Sequence, residues 1–281
     1  MYYKKTKNNM EKIGILSENS QDNLLSIIIP TYNEENDLPC LLESIKRQSG
    51  VNFEIIVADN DSKDKTQEIA LSYGAKVVKG GLPAQGRNNG AASARGNILV
   101  FFDADVILPT RDFLQKCLIE FKSRNLGIAT CVIRPISERK IDRIFHKAAN
   151  LYIKVSCKIV PHIPGCCIFI DKRIHQEILG FDETLKLAED HDYAKRATKK
   201  STFGILKAYP IFVSVRRLEK DGRVKIALKY FLCEAYMQLI GPIKSDIFNY
   251  QFGFKENDED IVGAKKEKKS FLLFFCHILH F

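Results

Sequence analysis

The chain has 281 residues, 45% hydrophobic and 27% charged, a composition typical of a soluble globular protein and not of a fibrous or disordered one. Its net charge is +9. The excess of basic residues between 111 and 158 suits an anionic partner (a diphosphate, a nucleic acid or an acidic membrane surface) as well as an ordinary solvated face. No signal-peptide core, no apolar stretch long enough to cross a bilayer and no CxxC pair among the eight cysteines is found. We therefore expect a cytoplasmic protein with reduced, buried thiols.

The first 80 residues alternate between apolar strands and helices. The predicted strands cover 24–29, 53–58 and 75–78, and the predicted helices cover 37–48 and 64–73. Asn36 and Asp37 are expected to cap the first helix. Strands that are apolar on both faces and separated by helices predict a doubly wound parallel sheet, which binds ligands at the carboxyl ends of its strands.

The following segments continue this pattern. A glycine-rich stretch at 80–96 predicts a loop leading into a helix, and the next apolar strand, 97–102, ends on an acidic pair. Further helices are predicted at 111–123 and 140–156, before Gly180 and through Lys199, and further strands at 127–133, 166–170 and 208–215. An amphipathic helix is predicted at 224–240. It is followed by a charged stretch at 255–269 and an apolar C-terminus, FLLFFCHILHF.

The acidic pair Asp103 and Asp105 directly follows a buried strand in the segment FFDADV. Two residues apart in extended backbone, both carboxylates leave the strand on the same side. Two like charges at close range are costly unless a cation holds them, and Mg²⁺ or Mn²⁺ favours carboxylate and phosphate oxygens. A solvated acidic loop is the alternative, but the position of the pair at the end of a central strand favours binding of a metal that in turn binds a diphosphate.

Other polar side chains follow the first two strands. Pro30, Tyr32 and Glu34 lie after the first and Asp59 ends the second, so all four should meet at one sheet edge, where a nucleotide would bind. Asp59 can accept a hydrogen bond from a nucleobase or organise a turn. Arg87, in the glycine-rich stretch, suits phosphate binding, although a surface arginine is the common case.

A second acidic cluster begins at Glu189 and Asp190. A carboxylate near the predicted nucleotide site would take the proton of an attacking hydroxyl, but acidic residues are also favoured at a helix N-terminus for structural reasons. His191, inside this cluster, is expected to be a polar loop histidine.

Five segments in this order resemble the family 2 glycosyltransferases of the GT-A fold. They are SIIIPTYNEE at 26–35, IIVADNDSKDKT at 55–66, GRNNGAASARGNILVFFDADV at 86–106, GFDE at 180–183 and EDHDYAKRA at 189–197. The resemblance covers roughly 24–200. It implies an inverting enzyme that uses a nucleotide-diphosphate sugar, a UDP- or GDP-sugar, with Mg²⁺ or Mn²⁺.

The resemblance also implies roles for single residues. The implied donor-nucleotide site consists of Pro30, Tyr32, Glu34, Asp59, Arg87 and Asp103. Asp105 is the implied direct metal ligand, with Asp103 shared between the ribose and the metal. Asp190 is the implied catalytic base, Glu189 shapes the acceptor site beside it, and Gly165 lies at the acceptor-side wall.

Two departures from the family narrow these expectations. No QxxRW motif is present, which favours transfer of a single sugar over polymerisation. The segment 213–217 lacks the histidine that some GT-A enzymes use as a metal ligand, so the third protein ligand is left open. Arg216 and Arg217 in this segment are candidates for neutralising the diphosphate.

We predict three parts of the chain: a polar arm at 1–23, a GT-A catalytic domain at 24–217 and a helical C-terminal extension at 218–281. The helices at 140–156 and 224–240 and the apolar C-terminus favour peripheral contact with the inner face of the cell membrane, and packing on the core is their alternative. A membrane location would suit a lipid-linked acceptor as well as a saccharide, in cell-envelope polysaccharide or glycolipid synthesis.

Two other functions compete with sugar transfer. A non-catalytic nucleotide-sugar-binding protein would lack the base position, which Asp190 fills here. A sugar-phosphate nucleotidyltransferase is disfavoured because PTYNEEND, rather than a basic glycine-rich loop, follows the first strand. A nucleic-acid partner is not expected, since no recognition motif accompanies the basic residues.

Overall fold

The computed structural model describes residues 24–156, 162–245 and 247. The strands of this part of the chain are β1 (Leu25–Thr31), β2 (Phe53–Asp59), β3 (Lys76–Lys79), β4 (Ile98–Phe102), β5 (Val106–Ile107), β6 (Ile128–Ile136), β7 (Cys167–Asp171) and β8 (Phe203–Ser214). The helices are α1 (Leu38–Lys46), α2 (Thr66–Ser72), α3 (Pro83–Ala92), α4 (Phe113–Ser123), α5 (Lys140–Ser156), α6 (Lys172–Glu177), α7 (Glu189–Ala197), α8 (Arg216–Lys220) and α9 (Arg223–Leu239).

All eight strands join one sheet in the order β3-β2-β1-β4-β7-β6-β8-β5. The half formed by β1 to β4 is parallel, as is the pair β6–β8, whereas β7 runs antiparallel to both β4 and β6, and β5 runs antiparallel to β8. The predicted α/β architecture, a mostly parallel sheet flanked by helices, is therefore confirmed.

The two faces of the sheet are covered by different helices. On one face, α1 and α4 pack Leu41 and Leu114 against β1 and β4, and on the other, α3 and α7 pack small residues and Tyr193. Helix α3 lies so close to β1 that a Cβ on Gly90 would come within 2.4 Å of the Ile28 side chain. This double burial explains why the central strands are apolar at nearly every position.

Several elements differ from their predicted bounds. The glycine-rich stretch is mainly helix α3, which begins at Pro83, a residue preorganised for the first turn of a helix. Strand β8 begins at Phe203 instead of 208, and β5 is too short for a periodicity signal. Helix α8 spans position 217, where the boundary between the catalytic domain and the C-terminal extension was predicted. That boundary stays a prediction. Asp37 precedes α1 but its side chain does not cap it.

Helix α5 is amphipathic, and it presents most of its apolar side to solvent. Ile141, Ile144 and Val155 are each more than half exposed, whereas Asp142 and His146 are buried on the opposite side. These three side chains therefore do not pack on the core of the described residues. Phe145, on the same side of the helix, packs partly against the α8–α9 junction.

The six cysteines that the structure describes are all buried, as expected: Cys40, Cys117, Cys131, Cys166, Cys167 and Cys233. Their reduced state stays a prediction. None of the described helices combines the length and apolar character needed to span a bilayer. The predicted arm at 1–23, the charged stretch at 255–269 and the apolar C-terminus lie outside the described residues.

Candidate active site

The predicted donor side chains gather at the carboxyl edge of the parallel strands. Strand β1 pairs with β2 and β4, and Thr31 lies opposite Asp59 in the β1–β2 register. Pro30 and Tyr32, at the end of β1, are half-buried, and Glu34 two residues later is buried. The parallel sheet therefore brings the polar ends of three strands to one place, as the topology of such sheets requires.

Asp59 organises the turn that follows β2. Its carboxylate is only 2% exposed and accepts hydrogen bonds from Thr31 Oγ1 at 2.8 Å, from Ser62 N and Oγ at 2.9 and 2.6 Å, and from Gln67 Nε2 at 2.6 Å. A carboxylate offers about four acceptor positions, so these bonds use them all. Contact with a nucleobase, which stays a prediction, would require one of these bonds to be exchanged.

Arg87 joins three separate segments. Its side chain, 3% exposed, donates from Nη1 to Glu189 Oε1 at 2.7 Å and from Nη2 to Asp103 Oδ1 at 2.9 Å, and Nη2 lies 3.4 Å from the Gly165 carbonyl oxygen. Burial lowers the pKa of Arg87, but the charges of Asp103 and Glu189 outweigh it and raise the pKa overall. Arg87 thus holds the ends of β4 and α7 and the loop before β7 together, instead of lying on the surface.

Asp190 lies beside this guanidinium. Its Oδ2 accepts a hydrogen bond from the Gly165 amide at 2.7 Å and its Oδ1 accepts one from the His191 amide at 2.9 Å. These two amide donors fix the orientation of the carboxylate. Burial raises the pKa of the neighbouring Glu189, against the lowering effect of Arg87. Asp190 is therefore an oriented carboxylate, whereas Glu189 is held in an ion pair with Arg87.

The segment FFDADV does not continue as a strand through its aspartates. Asp103 and Asp105 lie in a turn between β4 and β5, so the expectation of extended backbone there is wrong. The two carboxylates contact different arginines, Arg87 for Asp103 and Arg216 for Asp105. The turn arises because β5 must pair antiparallel with β8, and the short apolar segment at 106–107 carried no sign of that pairing.

Arg216, at the start of α8, lies among three carboxylates, which we call the Arg216 cluster: Glu34, Asp37 and Asp105. The guanidinium donates to both oxygens of Glu34, at 2.6 and 2.8 Å, to Asp37 at 2.6 Å and to Asp105 at 3.0 Å. Burial nevertheless raises the pKa of Glu34 to about 7, and burial also raises the pKa of Asp105, while Arg216 lowers both. One guanidinium therefore does not fully compensate these buried carboxylates.

The carboxylate oxygens at FFDADV are suitable ligands for a hard divalent cation. The two arginines contact Oδ1 of Asp103 and Oδ2 of Asp105, which leaves the second oxygen of each carboxylate outside those contacts. Carboxylate oxygens are the ligands that Mg²⁺ and Mn²⁺ prefer. A cation bound to Asp105 would lie close to the positive charge of Arg216, so the two would compete for this carboxylate.

Helix α9 brings a residue to the site that the sequence did not single out. Although 45% of Tyr230 is exposed, burial around its hydroxyl raises its pKa, and the charges of Arg217, Asp190 and Asp103 act on this group. His191, expected in a loop, instead lies in the first turn of α7. Tyr230 approaches the site only through tertiary packing, so spacing in the sequence offered no signal for it.

The model of the family described as Glycosyl transferase family 2 matches residues 26–179. The chain belongs to this family. The match covers β1 to β7 and includes the FFDADV turn and Gly165, but ends before Asp190 and Arg216.

An uncharacterized glycosyltransferase of Rickettsia typhi is 30% identical over 188 residues, which are 63% of this chain and 59% of that protein. The match spans about three fifths of the length of this relative and of two further uncharacterized glycosyltransferases, from Rickettsia prowazekii and Haemophilus influenzae.

Two solved structures share the fold at low sequence identity. Staphylococcus aureus TarS in complex with UDP aligns over 84% of this chain and 76% of its own, with a TM-score of 0.59 and 20% identity. The mannosyltransferase PcManGT from Pyrobaculum calidifontis, in complex with GDP-Man and Mn²⁺, aligns over 90% and 86%, with a TM-score of 0.59 and 19% identity. At these identities the likeness establishes the α/β fold of this chain.

Proposed function

We propose that this protein transfers one sugar, with inversion, from a UDP- or GDP-sugar to an acceptor hydroxyl or lipid phosphate. The observation that carries the proposal is the contact of one buried guanidinium, that of Arg87, with both Asp103 and Glu189. It sets the predicted donor and metal side of the site directly beside the predicted base. The bound UDP of TarS and the GDP-Man of PcManGT support the class of donor.

In this proposal the donor's nucleotide lies along the carboxyl edge of β1 and β2, near Pro30, Tyr32, Glu34 and Asp59. Asp105, with Asp103, holds the divalent cation, which supplies charge neutralisation for the departing diphosphate. Arg87, being buried, keeps Asp103 and Glu189 in place more readily than it reaches a phosphate. Mn²⁺ bound to PcManGT supports a metal of this kind.

Asp190 acts as the general base in this proposal. Its carboxylate would take the proton of the attacking hydroxyl, and the amides of Gly165 and His191 keep it oriented toward the acceptor side. Glu189, held by Arg87, shapes the same side without sharing this role.

Asp190→Asn tests the base. We expect turnover to fall by about 100-fold or more, because general-base catalysis contributes about 10²–10⁴. Donor affinity, measured by calorimetry with Mn²⁺, should change little. Asp192→Asn is the matched control, since Asp192 lies on the same helix and pairs instead with Arg196. Normal turnover in Asp190→Asn would contradict the assignment.

Asp105→Asn tests the metal side. A thermal-shift screen of UDP- and GDP-sugars with Mn²⁺ identifies the donor first, since a ligand that binds the native state stabilises it. We then expect Asp105→Asn to lose both transfer and the Mn²⁺-dependent shift. Asp112→Asn, which removes a carboxylate paired with Lys116 on α4, should keep both. A non-catalytic binding protein would show the shift without transfer in any variant.

We also propose that residues 218–281 form an extension that contacts the inner face of the membrane, where a lipid-linked acceptor would lie. Support comes from exposed apolar side chains on two helices, Leu151 and Val155 on α5 and Leu228 and Phe231 on α9. Exposed basic residues accompany them on α5, at Lys140, Arg143, Lys147 and Lys154. The Staphylococcus aureus protein TarS, named a poly(ribitol-phosphate) beta-N-acetylglucosaminyltransferase, is consistent with a cell-envelope acceptor.

A further inference from the structure

Two histidines and a glutamate from three separate segments meet beside the candidate base. His162 lies in the loop before β7, His191 in the first turn of α7 and Glu234 in the middle of α9. One potential ligand atom from each lies within 4.8 Å of the other two. We call these residues the His-His-Glu cluster. Asp103 and Asp105, the predicted metal ligands, are engaged elsewhere, by Arg87 and Arg216.

The distances within the His-His-Glu cluster suit a small transition-metal ion. His162 Nε2 lies 2.8 Å from Glu234 Oε2, and His191 Nδ1 lies 3.8 Å from the same oxygen. A tetrahedral ion with bonds of about 2.0–2.1 Å separates its ligand atoms by about 3.3–3.4 Å, a value between these two. Side-chain movements of about half an ångström would bring both of these distances to that value.

His191 provides the second observation. Its Nδ1 atom is shielded from solvent and has no hydrogen-bond partner among the described residues. A buried ring nitrogen without a partner is costly, whether it carries a proton or a lone pair. The ring of His191 stands nearly perpendicular to that of His162, with centroids 4.6 Å apart. A cation between these groups would satisfy the nitrogen that the protein leaves without a partner.

We infer that His162, His191 and Glu234 bind one Zn²⁺-class ion, at a site distinct from FFDADV. Two imidazole nitrogens and a carboxylate oxygen are a common protein ligand set for zinc, with water in the fourth position. Tyr152 Oη lies 3.2 Å from His162 Nε2, at the edge of the cluster. The ion links the loop before β7, helix α7, which carries Asp190, and helix α9. Binding of the ion therefore fixes α9 against the candidate active site. The inference does not depend on the proposed sugar transfer.

Cobalt binding to the full chain tests this site directly. Asp105→Asn serves as the background, since it removes a competing ligand at FFDADV. Chelator-treated protein is titrated with Co²⁺ and followed by visible absorption, which is far stronger for tetrahedral than for octahedral cobalt, and Zn²⁺ affinity is measured by competition. We expect one equivalent of Co²⁺ with a tetrahedral spectrum, displaced by Zn²⁺, and a higher melting temperature with Zn²⁺.

Glutamine variants separate metal binding from a plain hydrogen-bond network. His162→Gln and His191→Gln keep a polar side chain but lose the imidazole, and each should weaken Zn²⁺ binding by about tenfold or more, as losing even an outer-shell partner does. His146→Gln, which removes a buried histidine of α5 outside the cluster, should bind as the background does. Glu234→Gln, at a half-buried position, gives a further variant if a histidine variant misfolds. Absence of tetrahedral Co²⁺, or equal binding in all the variants, would overturn the inference.

Discussion

Gly165 occupies a position with almost no room for a side chain. A Cβ there would lie 2.9 Å from Arg87 Nη2 and 3.1 Å from Asp190 Oδ2. The residue also donates its amide to Asp190 and directs its carbonyl toward Arg87. A glycine here therefore lets the loop before β7 approach two charged groups, one of which is the proposed base.

Gly165→Ala should misplace those two groups. We expect turnover to fall by about 10–100-fold, because a displacement of about 1 Å in a catalytic group has effects of this size. The native fold should persist, since the close contacts involve the ends of two side chains and not the backbone. Steady-state kinetics and thermal denaturation of the variant measure both effects, and unchanged turnover would argue against a catalytic role for this loop.

Glu34 should make stability depend on pH. Its pKa is raised by burial from 4.5 to about 7, so the folded protein holds an extra proton between these values. Because the unfolded chain has already lost that proton, the contribution of Glu34 to stability is fully present below pH 4.5 and is lost as the pH rises through about 7. Stability from this group therefore decreases with increasing pH.

Glu34→Gln removes the titration, so the fall in melting temperature between pH 4.5 and 7 should be smaller than in the wild-type protein. Glu35→Gln is the matched control, because it leaves Glu34 in place and should keep the wild-type slope. Identical slopes in all three proteins would show that Glu34 is ionised normally in the native state.

The location of a single site residue could be predicted from the sequence where that residue lies at the end of a strand. Asp103 and Asp59 could be located because each ends an apolar strand, and a parallel sheet brings such ends together. The partners of these residues were not predictable: Asp37 was expected to cap α1, but it contacts Arg216, which lies 179 residues away in the sequence. Local patterns carry no information about a contact of this range.

Helices α5 and α9 are joined by one buried ion pair. The Asp142 side chain is fully buried, and it accepts hydrogen bonds from Arg223 Nε at 2.6 Å and Nη2 at 3.0 Å, and from Ser137 Oγ at 2.6 Å. These bonds, with that from Arg223 the largest cause, lower the pKa of Asp142 despite its burial. The first turn of α9 therefore depends on a carboxylate carried by α5.

Asp142→Asn should loosen α9. We expect a loss of about 2 kcal/mol in unfolding free energy, the typical worth of hydrogen bonds to a charged group, measured by urea denaturation. Amide exchange within α9 should accelerate, while exchange in β4 changes less. Asp221→Asn, at the end of α8, makes the same substitution beside α9 but keeps the Arg223 pair, so its exchange should match the wild-type protein.

Element types were easier to predict than element surroundings. The long apolar strands β1 and β4 and the periodic helices α5 and α9 were found because burial imposes a pattern. The orientation of α5 was not, since its buried side consists of Asp142, His146 and Ile153, which do not form an apolar stripe. Polar contacts, including those of Asn150 with the backbone of Ile133, hold this helix to the sheet.

At the scale of the whole molecule, exposed apolar residues are concentrated on α5 and α9. Leu228 is 55% and Phe231 69% exposed on α9. A combination of apolar and basic residues favours the interface of an anionic membrane, where burial of apolar groups and charge attraction add together. The exposed apolar side chains are costly to leave in water, so a partner surface is expected.

Leu228→Glu with Phe231→Glu tests membrane contact. Wild-type protein should sediment with phosphatidylserine vesicles and less so with neutral ones or in high salt, which screens the charge attraction. The double variant should stay in the supernatant. Leu71→Glu, which changes an exposed leucine on α2, should sediment like the wild-type protein. Recovery of the wild-type protein in the supernatant with both kinds of vesicle would contradict the proposal.

The position of Arg216 late in the sequence determines when the Arg216 cluster can form during synthesis. Glu34 and Arg216 are separated by 182 residues, so during synthesis the three carboxylates of the Arg216 cluster leave the ribosome long before the guanidinium that binds them. A nascent chain that ends before β8 lacks both this guanidinium and the strand that pairs with β5. Closing so long a loop delays folding. The candidate active site is therefore completed late, only after most of the chain has been synthesised.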